Sequence, residues 1–263
     1  MDELRTILVG VDFSPCSKAA LKQAIRLARE NDAKLCVFHA IQSLVITDLA
    51  EAIGRKAKDL EGEAVADARQ ELADLIGTDV DRDDVVLDLR VGAPLGEILE
   101  AVDRHHADLL VLGVCGASGH AHGAGTFATK CVRRARTKVL LVHESHTGNY
   151  RRVVACVDFA KTSERALAQA MRMAKSHGSQ LTALHVYYGP WHKLHYRAPT
   201  PEASPAFQRQ YMTRLQSLLE GLVESVSAQV GGVQCTAQLH EHPSYGRGIV
   251  EYLQSSRSDL VVM

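Results

Sequence analysis

Residues 6–41 reappear at residues 152–187 at a constant offset of 146, without a gap, and twelve of the 36 aligned positions are identical. The matches include Val11-Asp12-Phe13 over Val157-Asp158-Phe159, Ala20-Leu21 over Ala166-Leu167, and His39 over His185. Further along, Ala107-Asp108-Leu109 matches Ser258-Asp259-Leu260 at an offset of 151, and Gly92-Ala93-Pro94 lies near His242-Pro243. A period this long means duplicated domains and not a solenoid of short repeats. The polar stretch Ser145-His146-Thr147-Gly148-Asn149 carries turn residues and marks the join. The expected domains are therefore residues 1–145 and 150–263.

Each copy alternates strand and helix patterns. In the first, Thr6–Val11 is a short apolar run suited to a strand buried on both faces. Ser14-Pro15 and Ser17 supply helix-start chemistry, and Leu21, Ala24, Ile25, Leu27 and Ala28 give an apolar helical face. Leu35–Ile41 reads as the second strand, about Asp48 to Ile76 as a helix, and Val85–Val91 as the third strand. Pro94 is placed for the first turn of a helix carrying Ile98, Leu99 and Val102. Leu109–Leu112 is the fourth strand, a helix starts near Thr126, and Val139–Val142 is the fifth strand. Such alternation implies parallel strands with right-handed crossovers and helices on both faces. The second copy follows the plan to its fourth strand, at Asp259-Leu260-Val261-Val262-Met263, and reads as incomplete.

Composition narrows the function classes. A net charge of -1 gives no field of one sign to draw in nucleic acid or an anionic membrane. The local cluster Arg133, Arg134 and Arg136 suits a helix end. The 46% apolar content can fill real cores. Cys16, Cys36, Cys115, Cys131, Cys156 and Cys235 are scattered with no C-x-x-C pair, which reads as free thiols in a reducing compartment. Met1-Asp2-Glu3-Leu4-Arg5 has no basic stretch leading into an apolar run, and no segment approaches membrane-spanning length. A soluble, cytoplasmic protein is expected. Thirteen histidines do not make a metal site: His120 and His122 sit two apart in a glycine-rich loop, His105 and His106 side by side, and none has further ligands at recognisable spacing. No G-x4-G-K-[S/T] loop, no G-x-G-x-x-G after a first strand and no G-x-S-x-G elbow occurs.

In an open parallel sheet, ligands bind beyond the carboxyl ends of the strands where the winding reverses, here between strands one and four. Asp12 ends strand one, and the run from Gly113 through Cys115, Gly116, Gly119, His120, His122, Gly123 and Gly125 to Thr126 follows strand four. Glycines let a backbone approach phosphate oxygens, and amides opening the next helix bind the anion. Asp12 can accept from ribose hydroxyls or the base. Asp158 is its counterpart in the second copy, where a turn or helix-entry role fits better.

The ordered set G-x2-G, a spacer and G-[S/T], after a strand reading D-L-L-V-L-G, together with Val9-Gly10-Val11-Asp12-Phe13-Ser14, Phe38-His39-Ala40 and Val139-Leu140-Leu141-Val142, resembles the universal stress protein family. The spacer Ala117–Ala124 is one residue shorter than the family's. The resemblance implies two tandem doubly wound, Rossmann-like α/β domains of the adenine nucleotide alpha hydrolase-like kind, with five-stranded parallel sheets of order 3-2-1-4-5. It implies adenine-nucleotide contacts at Asp12, Ala40, Gly113, Gly116, Gly125, Thr126 and Phe127. The ligand implied is ATP or another adenine nucleotide, with or without Mg2+, held by a non-enzymatic stress-response regulator. The rivals are an interaction scaffold that binds no nucleotide and a weak ATPase or ATP-cleaving enzyme of the same fold class. Pairing through a fifth strand, as a homodimer or between the two copies, is also implied, with protein partners unidentified. The segment Tyr187–Pro199, aromatic, basic and proline-bearing, has no counterpart in the first copy and is read either as a pocket cover or partner surface or as an ordered surface loop.

Overall fold

The computed structural model describes residues 4–77, 85–116, 124–146, 148–193 and 204–263. The chain divides into two compact units, Met1–Gly148 and Asn149–Met263.

In the first unit, strands β1 (Thr6–Gly10), β2 (Lys34–Gln42), β3 (Val85–Gly92), β4 (Leu109–Gly113) and β5 (Lys138–Val142) form one parallel sheet of order β3-β2-β1-β4-β5. Helices α1 (Pro15–Asn31), α2 (Ser43–Ile53), α3 (Ala57–Ile76), α4 (Pro94–Arg104) and α5 (Thr126–Arg134) fill the connections. Side chains alternate across a strand, so Leu8 faces one layer while Ile7 and Val9 face the other. All three are fully buried because both faces are covered. Leu8 joins Phe38, Ile98, Val102, Leu110 and Cys131 in one core. Leu21, Ala24 and Leu27 of α1 are buried too, each leucine contributing about 2 kcal/mol.

Two expectations need correction. Strand β1 stops at Gly10, so Asp12 lies in the loop two residues beyond it. The helix expected from about Asp48 to Ile76 is two helices, because Gly54 takes a left-handed φ of 67° and caps α2 before α3 begins. Pro94 occupies the first turn of α4 as expected.

The second unit repeats the plan with β6 (Arg152–Cys156), α6 (Lys161–His177), β7 (Gln180–Tyr187), α7 (Pro205–Val230), β8 (Cys235–Glu241), α8 (Tyr245–Ser256) and β9 (Leu260–Val262). Its four described strands are parallel and ordered β8-β7-β6-β9, the same sequence of crossovers as β3-β2-β1-β4. Here α7 is unbroken where the first unit has α2 and α3. The aligned aspartates explain part of the repeat. Asp108 Oδ2 accepts from the amides of Arg5 and Thr6 at 2.8 and 3.0 Å. Asp259 does the same for Arg151 and Arg152 at 2.8 and 2.9 Å. Each carboxylate thus ties the start of a fourth strand to the start of a first strand.

The segment Tyr187–Pro199 is described as far as Lys193, with a single 3-10 turn at Pro190–Lys193. Trp191 meets the edge of Tyr211 on α7 at 5.5 Å, and His192 Nε2 lies 2.8 Å from Glu241 Oε1. That much of it packs against its own unit. Among the described residues no helix is long and apolar enough to cross a membrane.

Candidate functional site

The register Ile7↔Leu109, Leu8↔Leu110 and Val9↔Val111 sets the carboxyl ends of β1 and β4 side by side, and the winding reverses between them. The chain leaving β1 is held by a closed set of hydrogen bonds. Asp12 Oδ1 accepts from the Ser14 amide at 3.1 Å and from the Ser14 hydroxyl at 2.5 Å. Ser14 Oγ accepts in turn from the Ser17 amide at 3.2 Å, which caps α1. Ser17 Oγ donates to the Ser14 carbonyl at 3.1 Å and accepts from the Asp12 amide at 3.2 Å. Ser14 and Ser17 are both buried.

Phe13 stands at φ 63°, a left-handed conformation that costs a non-glycine residue about 1–2 kcal/mol. Its ring lies 4.8 Å from His39. His39 Nδ1 donates to the Val11 carbonyl at 2.7 Å, which fixes the tautomer with the hydrogen on Nδ1 because a carbonyl only accepts. These bonds, at about 1 kcal/mol each, offset the strained turn. The second unit repeats the device: Phe159 has φ 66°, its ring lies 4.4 Å from His185, and His185 Nδ1 donates to the Val157 carbonyl at 2.8 Å. The recurring histidine is a hydrogen-bonding residue of the turn.

The two aspartates differ. In the second unit Ala160 replaces Ser14, so Asp158 Oδ1 accepts from the Ala160 amide at 3.0 Å and from the Ser163 hydroxyl. Those bonds, the Ser163 one first, hold the Asp158 carboxyl below its ordinary range. In each unit the bonds at the helix entry fall on Oδ1, and Asp12 Oδ2 lies on the Gly116 side.

Three of the expected site residues converge on that point. Gly113 passes so close to α1 that a β-carbon there would lie 2.8 Å from the Cys16 carbonyl carbon and the Ser17 nitrogen. At Gly116 a β-carbon would lie 2.9 Å from Asp12 Oδ2. Gly113 faces fixed backbone and has no room for a side chain, whereas a side chain at 116 would have to turn the Asp12 carboxylate aside. The Val114 amide donates to the Val142 carbonyl at 2.9 Å, and the Gly125 amide to the Val114 carbonyl at 2.7 Å, so the loop's two ends are pinned together. Gly125 is the N-cap of α5 and offers no side-chain cap, leaving Thr126 and Phe127 to open the helix. Ala40 sits two residues past Phe38, the partner of Gly10, at the level of Asp12 along the sheet. Phe127 is 39% exposed. His120 and His122 lie outside the described residues.

The cysteines are free, as the sequence suggests, but two are not scattered in space. Cys16 Sγ lies 2.9 Å from Cys115 Sγ, directly beside Asp12 and Gly113. The hydrogen bond to Cys16 pushes the Cys115 thiol up to about 11, with burial and the charges of Glu144 and Asp12 adding to it. Burial pushes Cys36 up to about 12 and Cys131, Cys156 and Cys235 to about 11. A separation of 99 residues hid the pair from sequence reasoning; only the β1–β4 pairing brings the two thiols together. No group of three or more histidine, cysteine, aspartate or glutamate side chains able to hold a metal occurs among the described residues.

The fold has relatives. A universal stress protein of Methanocaldococcus jannaschii is 26% identical over 144 residues, covering 52% of this chain and 81% of its own. A universal stress protein crystal structure from Archaeoglobus fulgidus superimposes with a TM-score of 0.66 at 16% identity, covering 97% of this chain and 85% of that one. Another universal stress protein, crystallised in complex with cAMP, is 27% identical over 54% of this chain and 99% of its own, with a TM-score of 0.41. The family model of the universal stress proteins matches residues 3–143 and again residues 149–263, nearly the entire chain. With two matched segments on two parallel sheets of the same strand order, the chain belongs to the universal stress protein family.

Proposed function

We propose that the first unit binds an adenine nucleotide, ATP or a related compound, in the crevice between β1 and β4, and that the chain acts as a nucleotide-responsive regulator and not as an enzyme. The observation that carries this reading is the approach of Gly116 to Asp12 Oδ2 across the ends of the two strands. A carboxylate and a glycine backbone that meet there can part to admit a ribose, with the hydroxyls donating to Asp12. The uncapped first turn of α5, carrying Thr126 and Phe127 behind Gly125, then offers amide donors to phosphate oxygens, aided by the helix dipole. Ala40 at the end of β2 supplies backbone on the adenosine side, and Gly113 keeps the loop low against α1. A nucleotide binding between Asp12 and Gly116 has to reposition the loop, and a loop with two positions is a surface that partners can read.

Among the described residues the bonds around Asp12 serve the turn and the helix entry, and we take binding and not turnover as the expected activity. Calorimetry on the full chain, with ATP in the presence and absence of Mg2+, should show saturable binding. Gly116→Asp puts a second carboxylate against Asp12 and the phosphates and should abolish it. Binding of ATP by the Gly116→Asp chain at wild-type affinity discards the site. The close approach of Gly116 to Asp12 also favours a second reading, a scaffold whose crevice stays shut; a thermal melt unmoved by ATP would establish that one instead.

A further inference from the structure

We propose that Cys16 and Cys115 form a thiol modification site whose oxidation to a disulfide clamps residues 113–116 in place beside Asp12, at the end of the crevice between β1 and β4. The clamp's effect on ligand rests on the nucleotide reading above; the disulfide itself does not.

The geometry is specific to this pair. Cys16 stands in the first turn of α1 and is 2% exposed, while Cys115 lies in the loop after β4 and is partly exposed. Their sulfurs are 2.9 Å apart, so a bond of about 2.0 Å requires them to close by only about 0.9 Å. The chain leading into Cys115 is already anchored: Gly113 packs on the backbone of Cys16 and Ser17, and the Val114 amide is bonded to the Val142 carbonyl. The residue that follows Cys115 is Gly116, where a β-carbon would lie 2.9 Å from Asp12 Oδ2. A covalent link at position 115 therefore holds Gly116 where it stands, in the space a ribose would need. Of the remaining thiols, Cys36 and Cys131 are buried in the core on the α4 side of the sheet, which keeps an oxidant from them.

The chemistry balances with a peroxide as oxidant. The Cys115 thiol is pushed up to about 11, so only its small ionised fraction reacts and the rate rises with pH. That thiolate, the more accessible of the two, attacks one peroxide oxygen; the S–O bond forms, the O–O bond breaks, and the leaving hydroxide takes a proton to become water. The Cys16 sulfur then attacks the sulfenic sulfur, the S–S bond forms, the S–O bond breaks, and a second water leaves with the Cys16 proton. Two electrons pass from the sulfur pair to one peroxide. A small-molecule thiol reverses the reaction by exchange.

The test uses the full chain, reduced, freed of reductant, and treated with equimolar hydrogen peroxide. After alkylation and digestion, mass spectrometry should find a single linked peptide pair joining Cys16 to Cys115 within one chain, with the other four cysteines alkylated. Hydrogen exchange of peptides covering residues 113–116 should slow on oxidation and recover with dithiothreitol. Cys16→Ser and Cys115→Ser chains should show neither change. Six alkylated cysteines, a different pair, a link between chains, or unchanged exchange overturns the proposal, and the wild-type mapping decides this even if a serine variant folds poorly. ATP calorimetry on both forms separates the two readings. If the clamp leaves fewer than about one molecule in ten open, apparent affinity falls about tenfold or more. Equal affinity in the two forms overturns the clamp. A mapped disulfide with slowed exchange in a chain that binds no ATP in either form refutes the nucleotide reading while leaving the modification site in place.

Discussion

Asp88 is the most heavily invested charge in the first unit. It lies in β3 at 6% exposure, with Arg90 Nε at 2.7 Å, an Arg104 guanidinium nitrogen at 2.6 Å and His105 Nε2 at 2.8 Å. Burial pushes its carboxyl up, but hydrogen bonds from His105 and Arg90 and the charges of Arg90 and Arg104 outweigh it, and the carboxyl sits below its ordinary value of 3.8. A depressed carboxylate contributes stability that is complete above the unfolded-state value and is lost as pH falls through the folded-state value. Urea unfolding should therefore show Asp88→Asn destabilised by about 1–3 kcal/mol at pH 7, since Arg90 and Arg104 are partly exposed and keep water as a partner. The difference from wild type should shrink below pH 3.8. An undiminished difference at low pH would show that packing and not charge sets the loss. None of this was visible in the sequence, where Asp88 is one acidic residue in a strand and His105 one of an adjacent pair. The parallel register that seats β3 beside β2 gave the cluster its place.

Among the elements, strands and helix starts were largely legible, because they rest on local chemistry. The Ser14-Pro15 signal became an N-cap and first-turn proline, and Pro94 opened α4. The break between α2 and α3 was missed because the apolar pattern runs on through it, and a single glycine was enough to end the helix. Gly54 has φ 67° and open space around the position a β-carbon would take. Gly54→Ala should thus cost about 1 kcal/mol, from the left-handed backbone alone. Thermal unfolding of the variant checks it: a loss several times larger would mean that the side chain also collides with something. The apolar run of β1 reads on through Val11, one residue past the strand, because Val11 is apolar and buried although its amide already bonds to the Phe38 carbonyl outside the ladder. That shift matters for the site, since it frees Asp12 to turn with Phe13.

At the scale of the molecule, the duplication predicts independence. The first unit carries its own sheet with helices over both faces, and its 148 residues are enough to bury a complete core. Residues 1–148 expressed alone should unfold cooperatively, with far- and near-ultraviolet circular dichroism melting together. Separate transitions, or a chain that keeps helix but has no fixed side-chain packing, would show that the unit borrows stability from residues beyond Gly148.

The sequence by itself determined the repeat, the alternation of strand and helix, and hence a doubly wound parallel sheet, since these follow from periodicity and handedness acting over short stretches. It also marked Asp12, Gly113 and Gly116, because a carboxylate after one strand and glycines after another are local signs. Only the tertiary structure decided that Gly116 approaches Asp12 Oδ2, that Ser163 takes the place of Ser14 on the Asp158 carboxylate, and that Cys16 faces Cys115. Those are distances of a few ångströms between residues far apart in the chain. They depend on strand order and register, which pattern alone leaves free.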